Sequence, residues 1–170
     1  MVESPKQAIF VIMLVMNVVL AIINDFSQIL KLSIIFDSEE INKEEKISKA
    51  IKNKLVWVVK DDNKVVGYIL VELFDEGHDQ LPNSIFISEL YVLESYRKQG
   101  VGKILMQAVL ENKSSTTDKP VVLDKYPKKY TYFSLSHDPA EKTLTDFYKS
   151  FGFDVVGETK AHNIKMIRKI

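Results

Sequence analysis

The chain has 170 residues, 46% apolar and 27% charged, enough for one domain with a real core and short for two. Its 23 basic and 23 acidic residues cancel, which argues against a general attraction to nucleic acid. The absence of cysteine excludes disulfides, thiolate metal sites and cysteine nucleophiles. His78, His137 and His162 lie too far apart for a metal-ligand motif and read as surface or structural residues.

The first segment is an apolar run over residues 8–23, "AIFVIMLVMNVVLAII", broken only by Asn17. A membrane span needs about 20 apolar residues, and the flank "MVESPK" lacks the basic start of a signal peptide. The run therefore reads as a buried first strand leading into a buried first helix of a cytoplasmic protein, with a membrane-held form as the alternative. "DFSQILKLSIIF" continues with helical spacing through Ile29, Leu32, Ile35 and Phe36. Asp37 and Glu40 have the spacing of a capping box opening a second helix, "SEEINKEEKISKAIKNK", whose lysines and glutamates read as a solvated face.

"LVWVV" and "VVGYILVELF" are rich in β-branched and aromatic residues and, joined by "KDDNK", predict a hairpin. After the polar loop "DEGHDQLPNS" comes a third strand, "IFISELYVL". The segment "YRKQGVGK" follows, and then a helix with Val101, Ile104, Leu105, Ala108 and Val109 on one stripe. Residues 112–129 are polar and lysine-rich apart from "VVL", and "YTYFSLS" predicts a strand. The next helix carries Asp138 at its N-cap, Pro139 at the first position, Glu141 as a capping-box partner and Gly152 at its stop. Short strands "FDVVGE" and "NIKMIRKI" end the chain. The order is strand, two helices, three strands, helix, strand, helix, two strands: a mixed α/β (α+β) domain, single over residues 1–170 and least defined over 1–54.

A glycine turn between a strand and a helix suits an anion, because the backbone approaches closely and the first helical N–H groups are unpaired. A Walker loop is excluded, since "GVGKIL" lacks the spacer and the following Ser or Thr. Gly100 and Gly102 match two glycines of the dinucleotide fingerprint, with Asp124 at the distance of the ribose-binding acid. Leu105 stands where the third glycine belongs, however, and "ESYRKQ" separates strand from glycines. "ISELYVLESYRKQGVGKILM" instead resembles the central motif of the GNAT superfamily of acyl-CoA-dependent N-acyltransferases, whose signature Arg97, Gly100 and Gly102 meet. "FYKSFGF" resembles a second, Tyr-x-x-x-Gly-Phe segment of that family, and the likeness extends over residues 55–170.

The resemblance implies a mostly antiparallel central sheet flanked by helices. It implies acetyl-CoA as cosubstrate, without a metal, its pyrophosphate held by Arg97, Lys98, Gln99, Gly100, Val101, Gly102 and Lys103. Its pantetheine arm would run along the backbone of Leu90, Tyr91 and Val92. Tyr148 matches the family's general-acid tyrosine, and its place on an apolar stripe equally suits a core aromatic. Glu89 stands beside the expected thioester as a base, a binder of the amine's charge, or a solvent-facing strand residue, with Glu72 as the fallback base. The family's Asn seven residues before the tyrosine is Glu141 here and its small residue four before is Leu144, so that Asn's hydrogen bond to the coenzyme does not carry over. The expected activity is N-acetyl transfer to a small-molecule or peptide amine, with no nucleic acid or membrane partner and with room for a homodimer. A catalytically silent acyl-CoA-binding module is the alternative.

Overall fold

The computed structural model describes residues 16–75, 83–111 and 130–170. Their elements follow the expected order. Strand β1 is Val18–Leu20, helix α1 Phe26–Phe36, α2 Lys43–Lys52, β2 Val56–Asp61, β3 Lys64–Phe74 and β4 Ser84–Val92. Then come α3 Val101–Leu110, β5 Tyr132–His137, α4 Lys142–Lys149, β6 Asp154–Glu158 and β7 Ile164–Lys169. The strands form one mixed, mostly antiparallel sheet in the order β1-β2-β3-β4-β5-β7-β6, with β4 and β5 parallel over Ser84–Phe86. Two compact units share it: one holds the described residues of Met1–Leu70 and Glu89–Leu123, the other those of Val71–Ser88 and Asp124–Ile170.

In the first unit, alternation along the strands explains why Val56 to Val59 are all buried: both faces of the sheet are covered. Val56, Val58, Tyr68 and Leu70 pack with Ile29 and Leu32 of α1 and with Ile47, Ala50 and Ile51 of α2. α3 approaches the sheet through Val101 and Leu105. A Cβ on Gly67 would meet Val101 Cγ1 at 3.0 Å, the Tyr91 carbonyl oxygen at 3.2 Å and Leu105 Cδ1 at 3.3 Å. Gly67→Ala is therefore expected to destabilise the protein by about 1–3 kcal/mol through overpacking, read as a lower urea midpoint at unchanged slope.

Four local expectations are corrected. The strand within the apolar run is Val18–Leu20, but the helix starts only at Phe26, and Ile22 and Ile23 between them are exposed; residues 8–15 lie outside the described residues. Buried Asp25 sets this junction, accepting the Ile22 N–H at 3.0 Å and pairing with Lys60 at 2.6 Å. Ile35 and Phe36 continue the helical spacing of α1 but are exposed, 64% and 45%.

Asp37 does accept the N–H groups of Glu39 and Glu40, at 2.9 and 3.3 Å, yet the chain turns there and α2 opens at Lys43. The Glu40 carboxylate is drawn instead to Lys43 and Lys46, each at 2.8 Å, and these lysines are not a solvated face: Lys43 is only 6% exposed. Near the C-terminus Asp138 accepts the Ala140 N–H at 2.8 Å and closes a turn, so α4 begins at Lys142 with Glu141 as its N-cap residue and without a side-chain capping bond.

In the second unit β7 pairs antiparallel with both β5 and β6, and Phe133, Leu135, Phe153 and Met166 are buried. The Ser84 and Ser134 hydroxyls, both buried, satisfy one another at 2.6 Å. The polar stretch over residues 112–129 lies outside the described residues.

Candidate active site

The turn after β4 is built by short-range bonds. Arg97 donates Nε to the Val92 carbonyl at 3.0 Å with its guanidinium 5.6 Å from the Tyr91 ring centre, and Gln99 donates to the Ser95 carbonyl at 2.7 Å. Lys98 and Gly100 adopt positive φ, 58° and 88°, and Gly100 is the N-cap of α3. Its carbonyl accepts the Ile104 N–H at 3.0 Å, so the N–H groups of Val101, Gly102 and Lys103 precede the first intrahelical bond. They form a positive helix end, beside the exposed side chains of Arg97, Lys98 and Lys103.

The two glycines have different causes. The left-handed conformation accounts for Gly100. Gly102 is the second residue of α3, where alanine is better by about 1 kcal/mol, so helix formation gives no reason for it.

Leu90, Tyr91 and Val92, half-buried, form the last turn-ward stretch of β4. Glu89, on the same strand, is 2% exposed. Tyr68 donates its hydroxyl to Glu89 Oε2, and Lys46 Nζ lies 3.0 Å from Oε1. That second contact is an ion pair without hydrogen-bond alignment, since Oε1 has charge attraction but no hydrogen-bond donor. Lys46 also holds Glu40 Oε1, and Lys43 links Glu40 Oε2 to the buried Ser33 hydroxyl at 3.1 Å. Among the described residues, Lys43, Lys46, Glu40 and Glu89 thus join in one network of opposite charges that distant sequence positions concealed. Burial opposes ionisation of Glu40, but hydrogen bonds from Lys43 and Lys46 and their charges hold its carboxyl below the usual range. Burial, and then the Glu89 charge, push the Tyr68 hydroxyl far up. Glu72 lies on β3, half-buried.

In the second unit Tyr148 is buried, and burial pushes its hydroxyl up to about 12. Its ring packs edge-on against Phe147 and Phe153, at centroid distances of 5.2 and 6.1 Å, and lies 5.9 Å from His137. His137 is structural: Asp138 O and Thr145 Oγ1 lie 2.9 and 3.1 Å from its ring nitrogens. The Tyr-x-x-x-Gly-Phe spacing has a local cause. Phe153 N–H bonds the Tyr148 carbonyl at 3.3 Å and Gly152 N–H that of Lys149 at 2.9 Å, with Gly152 at φ 80°. This is a Schellman cap, completed by the Phe153–Tyr148 contact. Gly152→Ala is expected to cost about 1–2 kcal/mol, measured by thermal or urea unfolding.

Among the described residues no group of three side chains is arranged to hold a metal ion, and no helix is long and apolar enough to cross a membrane. A family model described as the acetyltransferase (GNAT) domain matches residues 52–155. No curated protein matches the sequence. Among solved structures, the chain is similar to one of the NatC complex bound to Gag peptide and CoA, with 16% identity over 91% of this chain and 98% of that one and a TM-score of 0.69. A GNAT-family acetyltransferase from Bacillus cereus shares 16% identity over 91% and 96%, with a TM-score of 0.63. The PaiA N-acetyltransferase of Thermoplasma acidophilum, in complex with coenzyme A, shares 17% over 91% and 99%, with a TM-score of 0.60.

Proposed function

The chain belongs to the GNAT acetyltransferase family, and on that premise we propose that it is an N-acetyltransferase carrying acetyl groups from acetyl-CoA to a primary amine of a small molecule or peptide. The observation that carries this reading is the glycine in the first turn of α3, at a helix end whose leading N–H groups have no intrahelical partner. Gly102, with the N–H groups of residues 101–103 and the cations Arg97, Lys98 and Lys103, fits a pyrophosphate and leaves room for it. The backbone of Leu90, Tyr91 and Val92 then receives the pantetheine arm. The NatC structure, which contains both CoA and a peptide, supports a peptide amine among the acceptors.

Acetyl-CoA supplies an activated thioester, and the protein's residues handle charge and protons around it. The acceptor ammonium first gives one proton to solvent; the N–C bond then forms, the C–S bond breaks, and the second proton lost by nitrogen ends on sulfur. The absence of cysteine excludes a cysteinyl acyl-enzyme and favours direct transfer in a ternary complex. Tyr148, held at about 12, keeps its proton against a thiolate whose conjugate acid lies near ~8.5. It therefore acts as an acid by donating a hydrogen bond to the sulfur as charge develops, without itself remaining ionised. Glu89 presents the negative charge that receives the acceptor. The whole chain works as one catalytic domain, in the cytoplasm.

The test is a panel of peptides with free or blocked N-termini and of small amines, each incubated with acetyl-CoA and analysed by mass spectrometry. Acetylated product from free amines alone is expected. Equal product with and without protein, across the panel, overturns the assignment.

A further inference from the structure

Glu89 Oε1 is a buried carboxylate oxygen that has a cation beside it but no hydrogen bond. The cation, Lys46, has a second carboxylate: Glu40 Oε1 at 2.8 Å, against 3.0 Å to Glu89. Lys46 can therefore leave Glu89 and remain ion-paired. Glu89 meanwhile stays anchored through Oε2 by Tyr68, which fixes the direction in which Oε1 points. Lys43, held by Glu40 Oε2 and Ser33, keeps Glu40 in place during such a move.

We propose that Lys46 is a built-in competitor of the acceptor: its ammonium occupies the cation position on Glu89 Oε1, and a primary ammonium substrate binds by displacing it toward Glu40. This rests on the acetyltransferase reading and deepens it by identifying where the acceptor's charge docks and what it must exchange with. An alkylammonium reproduces the charge and the three donors of Lys46, and unlike Lys46 it approaches untethered, free to align a hydrogen bond to Oε1. The exchange keeps the carboxylate paired at every stage, avoiding the cost of an isolated buried charge. It also selects: a neutral or quaternary ligand cannot both balance Glu89 and donate a hydrogen bond to it.

The consequence has an unusual sign. Removing Lys46 strengthens acceptor binding, because the competing state disappears and apparent affinity rises by the reciprocal of the fraction of molecules in which Oε1 had been free. Among the described residues, the charged and titratable groups seen against Glu89 include Lys46 from α2 and the neutral Tyr68 hydroxyl from β3, with Glu40 and Lys43 one contact further away.

The experiment is a thermal-shift titration of the full chain with ethylammonium, with tetramethylammonium as control, in the wild type, Lys46→Met and Glu89→Gln. Acetyl-CoA binding is measured on each by calorimetry. Lys46→Met, which keeps side-chain length, is expected to respond at concentrations about tenfold lower than the wild type. Glu89→Gln is expected to show no ethylammonium response, and tetramethylammonium none with any variant. An equal or weaker response in Lys46→Met overturns the proposal. Should that variant not fold, Lys46→Arg decides. Its bidentate guanidinium holds both carboxylates, and a response at least about threefold weaker than wild type is expected; an unchanged or stronger one overturns the proposal. Loss of acetyl-CoA binding by the wild type itself would instead strike the acetyltransferase reading, whatever the ammonium titration gives.

Discussion

Tyr148→Phe is expected to lower turnover by at least about tenfold, short of or up to the about 10²- to 10⁴-fold contributed by an acid that transfers its proton, while leaving acetyl-CoA affinity nearly unchanged. The substitution keeps the ring that packs on Phe147 and Phe153, and the Schellman cap uses the Tyr148 carbonyl, which phenylalanine retains. Stability should therefore change little, and any loss of rate belongs to the hydroxyl. Because burial holds that hydroxyl at about 12, the wild-type rate should show no decline from Tyr148 ionisation near neutral pH. Steady-state kinetics with an acceptor from the peptide panel checks both points. An unchanged kcat would make Tyr148 a core aromatic only and leave the acid's role to another group.

Gly102→Glu is expected to abolish measurable acetyl-CoA binding, against micromolar binding by the wild type. Glutamate forms helix well, so α3 itself should tolerate the change and even gain from it. Its carboxylate, however, falls in the first turn of α3, among the N–H groups that would face the pyrophosphate. Gly102→Ala separates bulk from charge: a small loss in affinity with a stability gain of up to about 1 kcal/mol is expected. Calorimetry and urea unfolding read the two effects separately. Full affinity in Gly102→Glu would move the phosphate site away from this helix end.

The parts legible in the sequence were those with local causes. The strand-turn-helix around Gly100 depends on residues within a few positions of one another, as do the Asp62-Asn63 hairpin turn and the cap at Gly152. Helix starts were harder. Asp37 and Asp138 do bind N–H groups two residues on, but such bonds close turns as well as helices, and the pattern does not say which. The network around Glu89 joins residues from α1, α2, β3, β4 and the connection between the helices. Nothing in a helical spacing of lysines and glutamates distinguishes a buried lysine from a solvated one until the sheet below supplies its carboxylate. Gly67 was silent for the same reason, since its constraint comes from α3, over thirty positions away.

The most direct test is the time course of thiol release from acetyl-CoA by the purified chain, with and without an amine acceptor, alongside Tyr148→Phe. Thiol release that depends on the amine, matches the acetylated product mole for mole and is slowed in Tyr148→Phe is the expected result. Saturable binding of acetyl-CoA with no amine-dependent thiol release from any member of the panel would contradict it.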